Sequence, residues 1–124
     1  MPVDYTIYPE RSLVVTTVTG DVSPDEMFAY QARLGADPLF SPRFDSVTDF
    51  LETQPFTGTP DDIRRLAQES PFAAGVKRAF LVSSELHFGL SRMAQSLGKA
   101  SGLHMEVFRE RSAAFAWLGK DETS

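Results

Sequence analysis

Lys77-Arg78-Ala79-Phe80-Leu81-Val82-Ser83 is the stretch on which the fold turns. Its centre, Ala79 to Val82, is an unbroken apolar run rather than an alternation of apolar and polar residues. A strand with water on one side alternates, whereas a strand covered on both faces inside a parallel sheet does not. Behind it a helix is expected from Ser84 or Glu85, with Leu86, Leu90, Met93, Ala94 and Leu97 at helical spacing and Ser101-Gly102 as its stop.

Working outward, His104 to Arg109 reads as a short strand and Arg111 to Leu118 as a final helix anchored by Trp117 and Leu118. Upstream, Ser23-Pro24-Asp25-Glu26 combines an N-cap serine, a proline at the first helical position and a glutamate at the third. That helix is expected to run to about Leu34, with Met27, Tyr30 and Leu34 inward and Gly35 ending it. Thr59-Pro60-Asp61-Asp62 repeats the same grammar, followed by Ile63, Leu66 and Ala67 on one face. Between the two helices lie an ordered loop, Ala36 to Phe44, and an alternating strand, Asp45 to Leu51. Gln54 to Gly58 then breaks the chain.

At the N-terminus, Tyr5 to Tyr8 and Leu13 to Thr19 are rich in β-branched and aromatic residues and are joined by Pro9-Glu10-Arg11-Ser12. A parallel crossover needs a dozen residues or more, so this pair must be antiparallel. The order β-β-α-β-α-β-α-β-α with right-handed crossovers predicts an α/β fold: a mixed sheet of about five strands covered by helices. Residues 1–119 form a single domain in this reading, with 120–124 as a frayed tail.

Composition narrows the function. The 124 residues are 42% hydrophobic and 23% charged, an ordinary globular balance. There is no cysteine and only two histidines, His87 and His104, so thiol chemistry, disulfides and a cysteine- or histidine-rich metal site are excluded. No metal and no cofactor is expected. Twelve basic residues are scattered among 17 acidic ones for a net charge of -5, which argues against nucleic acid. No apolar stretch approaches the roughly 20 residues of a membrane span. Met1-Pro2-Val3-Asp4-Tyr5 has neither the basic nor the apolar region of a secretory signal, so the expected location is cytoplasmic.

Three segments carry a family resemblance. They are the opening hairpin Tyr5-Thr6-Ile7-Tyr8-Pro9-Glu10-Arg11-Ser12-Leu13-Val14, the helix start Gly20-Asp21-Val22-Ser23-Pro24-Asp25-Glu26, and the ending Phe108-Arg109 with Ala114-Phe115-Ala116-Trp117-Leu118. Together they resemble the SpoIIAA-like or STAS-like family, particularly its small stand-alone bacterial members. The resemblance spans nearly the whole chain and implies a regulatory module that binds a protein partner or forms a homodimer. One departure matters. Anti-sigma-factor antagonists of this family present a phosphorylated hydroxyl in an Asp-Ser-Ser/Thr-Gly segment after the third strand. Here that region reads Asp49-Phe50-Leu51-Glu52-Thr53-Gln54-Pro55-Phe56-Thr57-Gly58-Thr59-Pro60. Antagonist-type phosphorylation is therefore not expected, and Thr59 is read as a helix cap.

The topology places a binding surface at the carboxyl ends of the third and fourth strands, around Asp49, Thr57, Ser83, Ser84, His87 and Arg92. An acyl-transfer trio of Ser84, His87 and Asp49 is the weakest reading, because no Gly-x-Ser-x-Gly elbow surrounds either serine. A contact surface of His87, Phe88 and Arg92 is stronger. Asp45, Asp49 and Glu52 match no calcium-loop spacing. Four of the ten phenylalanines, Phe40, Phe44, Phe56 and Phe72, fall in proline-containing connections. They either line an apolar groove for a small molecule or lipid tail, or plug the end of the sheet. The leading expectation is a non-catalytic interaction module, and a small-molecule or lipid-binding domain is the alternative.

Overall fold

The computed structural model describes residues 3–53, 59–82 and 104–122. Its elements are β1 (Val3–Tyr8), a 3-10 turn (Pro9–Arg11), β2 (Leu13–Gly20), α1 (Pro24–Ala36), β3 (Asp45–Thr53), α2 (Pro60–Gln68), β4 (Lys77–Leu81), β5 (His104–Phe108) and α3 (Arg111–Leu118). The strands form one mixed sheet in the order β1-β2-β3-β4-β5. β1 is antiparallel to β2, and every later pairing is parallel.

Local chemistry accounts for the boundaries. Ser12 takes the left-handed conformation (φ 52°) after the 3-10 turn, which reverses the chain within the short link. α1 opens on a reciprocal capping box: the Glu26 amide donates to Ser23 Oγ (3.2 Å) and the Ser23 amide to Glu26 Oε1 (3.1 Å). α2 does the same with Thr59 and Asp62 (2.9 and 3.1 Å), so the cap reading of Thr59 holds. α1 runs past Gly35 to Ala36, further than the sequence suggested. A Cβ at Gly35 would lie 3.3 Å from Pro71 Cβ, so this glycine lets the α2–β4 connection close against α1 rather than stopping the helix. α3 ends at Gly119 (φ 71°), where the Lys120 amide donates to the Phe115 carbonyl (3.1 Å).

Because the strand order follows the chain order, the β2–β3 and β3–β4 crossovers step the same way and lay their helices on the same face. α1 and α2 share that face. Gln31 Nε2 of α1 donates to the Leu66 carbonyl of α2 (2.9 Å), and the Arg65 guanidinium lies 4.7 Å from the Phe28 ring centre. α3 returns across the opposite face, where Ala114, Phe115 and Leu118 pack on Leu13, Val15, Val47, Ala79 and Leu81. Trp117 is only partly buried there, so Phe115 takes the anchoring place that the sequence suggested for Trp117. β4 is buried on both sides from Arg78 to Leu81, as its apolar run implied.

The same topology removes one support of the sequence reading. A ligand crevice at a sheet's carboxyl edge arises where the strand order reverses. This order never reverses, so the crevice expected beside the third and fourth strands has no switch point to create it. Lys120 to Glu122 lie against the body of the domain: Lys120 pairs with Asp45 (3.7 Å), Arg11 donates to the Asp121 carbonyl, and Glu122 pairs with Arg111 (3.4 Å). Among the described residues no helix is long and apolar enough to cross a membrane.

Candidate functional site

Two regions of the described structure carry functional groups. The first is buried between the sheet and the α1–α2 layer. Register places Ser46 of β3 opposite Arg78 of β4, and Thr16 of β2 opposite Thr48 of β3. These side chains point toward α1 and α2, and all are buried: Thr16 0%, Ser46 1%, Thr48 3% and Arg78 5% exposed. Gln31, the remaining buried polar residue among those described, reaches in from α1. The buried polar side chains among the described residues thus lie in one layer.

Its electrostatics are unusual at one point. Arg78 Nη1 donates to Ser70 Oγ (3.1 Å), and the guanidinium lies 4.6 Å from the Phe72 ring centre and 5.5 Å from that of Phe80. No carboxylate pairs with it among the described residues. Burial accordingly lowers its pKa from the ordinary arginine value. Arg78 Nε, Ser46 Oγ and Gln31 Oε1 are all buried without a hydrogen-bond partner. Beside them Thr16 Oγ1 and the Tyr30 hydroxyl share a hydrogen bond of 2.7 Å. Burial pushes the Tyr30 pKa up, against a smaller lowering by the Thr16 bond. The Tyr5 hydroxyl donates to Asp37 Oδ2 (2.8 Å), and desolvation followed by this carboxylate raises its pKa too.

The second region is an open groove of about 390 Å³ on the α3 side of the sheet, lined by Asp4, Thr6, Tyr8, Val15, Thr17 and Arg111. α3 lies mainly over β3, β4 and β5 and reaches β2 at Leu13 and Val15, so the groove opens between Arg111 and β1. At its margin Arg111 pairs with Asp49 (3.3 Å).

Of the surface read from the sequence, Asp49 is described; Thr57, Ser83, Ser84, His87 and Arg92 lie outside the described residues. Asp49 projects to the α3 face, where Oδ1 accepts the Leu51 amide (2.9 Å) and Oδ2 the Arg111 guanidinium. Asp45 accepts the Lys77 amide (2.9 Å) and pairs with Lys120, so each of these carboxylates holds a cation of its own. Phe56 also lies outside the described residues. Phe40 packs edge-to-face on both Phe44 and Phe72, with ring centres 6.3 and 5.2 Å apart, within the α1-side core. Sequence reasoning passed over Arg78. Its signal was present: a cation one step inside an apolar strand cannot reach water if both faces of that strand are covered.

No family model matches the sequence, and no curated protein does. Among solved structures, the chain is similar to an uncharacterised DUF3478-family protein with a SpoIIAA-like fold from Shewanella loihica PV-4. The TM-score is 0.66 and the identity 15%, over 94% of this chain and 93% of that one. At that identity the likeness speaks for architecture alone. With its mixed five-stranded sheet, sequential parallel crossovers and terminal helix on the far face, this chain has a SpoIIAA-like fold.

Proposed function

We propose that this chain is a non-catalytic, STAS-like interaction module that binds a protein partner. The observation that carries the reading is the open groove between Arg111 of α3 and the β1–β2 hairpin. Its lining mixes exposed Asp4, Thr6 and Thr17 with Tyr8, Val15 and a guanidinium. Such a mixed polar and apolar lining suits a protein surface better than an apolar ligand. Signalling by an antagonist-type phosphate on the chain is not part of this proposal, because the Asp-Ser-Ser/Thr-Gly segment is missing. The competing partner face is the one read from sequence around His87 and Arg92.

The test begins with capture of a partner from the native host on the immobilised full chain. The purified partner is then titrated against three proteins: wild type, Thr6→Lys/Thr17→Lys, and His87→Ala/Arg92→Ala. The groove variant changes two exposed positions, so its thermal midpoint is expected to stay close to wild type. Its affinity is expected to fall by about tenfold or more. A partner bound equally well by the groove variant would overturn the groove. Loss of binding only in the His87/Arg92 variant would move the function to that face. Absence of any stoichiometric partner would remove the proposal.

A further inference from the structure

We infer that the outer edge of β1 is a self-association site, where a second copy of this chain adds its own β1 antiparallel in a register centred on Thr6. The inference goes beyond the partner reading, because the purified chain alone can bear it out or refute it. β1 is the end strand of the sheet, and no described element pairs with its outer side. An open edge offers backbone donors and acceptors to any extended chain, and proteins commonly blunt it with lysine, proline or a bulge. β1 has none of these. It reads Val3-Asp4-Tyr5-Thr6-Ile7-Tyr8 and pairs with β2 without a shift in register.

Two observations select a copy of this chain and fix the register. At the start of the strand the Arg33 guanidinium donates to the Val3 carbonyl (3.2 Å), so the run left open is Asp4 to Tyr8, with Thr6 at its middle. Charge along that run is self-complementary. Asp4 is exposed and forms no ion pair among the described residues. At the other end the Arg11 guanidinium lies 5.8 Å from the Tyr8 ring centre and donates to the Asp121 carbonyl, and no described carboxylate pairs with it either. Glu10 shares that turn, but it is Arg11 that the ring and the carbonyl hold in place. A two-fold axis at Thr6 sets Asp4 of each copy opposite Tyr8 of the other, and so beside that copy's Arg11. Asp4, Thr6 and Tyr8 all line the α3 face, so these contacts form on one side of the joined sheet. On the other side the same register sets Tyr5 opposite Ile7, two partly buried side chains at the border of the α1-side core. Opposite charges and apolar pairs directly across two strands are the contacts that stabilise a sheet. A register centred on Tyr5 would instead need Val3 and would set Asp4 against Thr6.

The test uses the full chain, which has no cysteine of its own. Sedimentation equilibrium of wild type from micromolar to near-millimolar concentration is expected to show monomer and dimer in exchange. Thr6→Cys places two thiols opposite each other on the axis, where the Cα atoms of an antiparallel pair lie about 4.5–5.5 Å apart, within the span of a disulfide. With oxidised glutathione it is expected to cross-link roughly tenfold or more faster than Thr17→Cys, an exposed position on β2. Asp4→Arg and Arg11→Asp each turn attraction into repulsion at both ends of the contact, and each is expected to weaken the dimer by about tenfold. Combined, they restore complementarity, and the affinity is expected to return to near that of wild type. Should Arg11→Asp not fold, the cysteine variants carry the test unaided. Wild type that stays monomeric throughout overturns the inference and gives the edge to a strand of another protein, which the partner titration can still detect. Equal cross-linking at Thr6 and Thr17 overturns it too, as does a double reversal that binds no tighter than the single ones.

Discussion

Both faces of the sheet carry an apolar cluster, but among the described residues the buried polar side chains gather on one of them. On the α3 side, Leu13, Val15, Val47, Ala79 and Leu81 meet Ala114, Phe115 and Leu118, an apolar contact closed by side chains alone. On the α1–α2 side, the rows alternate differently. Val14 is followed across the sheet by Ser46 and Arg78, and Thr16 by Thr48 and Phe80. Both faces are covered over β3 and β4, yet buried polar residues gather on only one of them among the described residues. The difference shows that burial and hydrophobicity are separable here. The α3 face has the composition of a structural core, while the opposite face accepts the cost of buried polar groups, as functional layers often do.

The largest effect that can test this contrast is Phe115→Ala. Phe115 is 1% exposed and central to the α3 face, so its truncation leaves an apolar cavity. The expected loss is about 3–5 kcal/mol by urea denaturation. A loss of less than about 1 kcal/mol would mean that α3 is dispensable and that the comparison of faces is misdrawn.

On the polar face the corresponding test is a cycle rather than a truncation. Tyr30→Phe deletes a hydroxyl and leaves Thr16 Oγ1, which is fully buried, without its partner. The expected cost is about 1–3 kcal/mol. Adding Thr16→Val removes the orphan, so the double variant is expected to be more stable than the sum of the two single changes implies. Strict additivity would show that the 2.7 Å bond carries no coupling.

How far these faces were legible in the sequence depends on the kind of signal. Local signals read correctly: the Ser23–Glu26 and Thr59–Asp62 boxes open α1 and α2. The apolar run of β4 marks an interior strand, and the short Pro9–Ser12 link forces the antiparallel hairpin. The polar layer was not legible. Ser46, Thr48 and Phe50 alternate with Val47, Asp49 and Leu51, the pattern of a strand with one wet face. Only the consecutive strand order, a non-local property, brings α1 and α2 over that face and turns polar into buried. The same non-locality explains Asp49. Sequence placed it at a binding surface, and the structure shows it held by Arg111, 62 residues away along the chain.

A smaller effect is expected at alkaline pH. Burial raises the pKa of Tyr30, and burial with Asp37 raises that of Tyr5, so the folded state holds these protons more tightly than the unfolded chain. Below about pH 10, the unfolded tyrosine value, both states keep the protons and the full contribution is present. As pH rises from there through the raised folded values, the unfolded state ionises first and stability falls. Denaturation midpoints measured above pH 9 are expected to bend downward for wild type and less steeply for Tyr30→Phe. An unchanged slope in the variant would remove Tyr30 from the account.

The smallest expected effect is at Asp49, where the two faces differ in how charge is handled. α3 begins at Arg111, a cation in the first turn of a helix, where the backbone dipole favours an anion. Its N-cap, Glu110, makes no side-chain capping bond. Asp49 answers both problems from β3, placing a carboxylate 3.3 Å from the Arg111 guanidinium at that helix end. Asp49→Asn preserves an oxygen for the Leu51 amide and removes only the charge. The side chains are 16% and 29% exposed, so screening is partial and the expected loss is about 0.5–1 kcal/mol at low salt. The loss should shrink as ionic strength rises, since partly exposed pairs are screened. A loss that does not vary with salt would mean that Asp49 acts through shape or hydrogen bonding, and the contrast between a cation paired on the α3 face and one, Arg78, with no carboxylate among the described residues on the α1 face would then need redrawing.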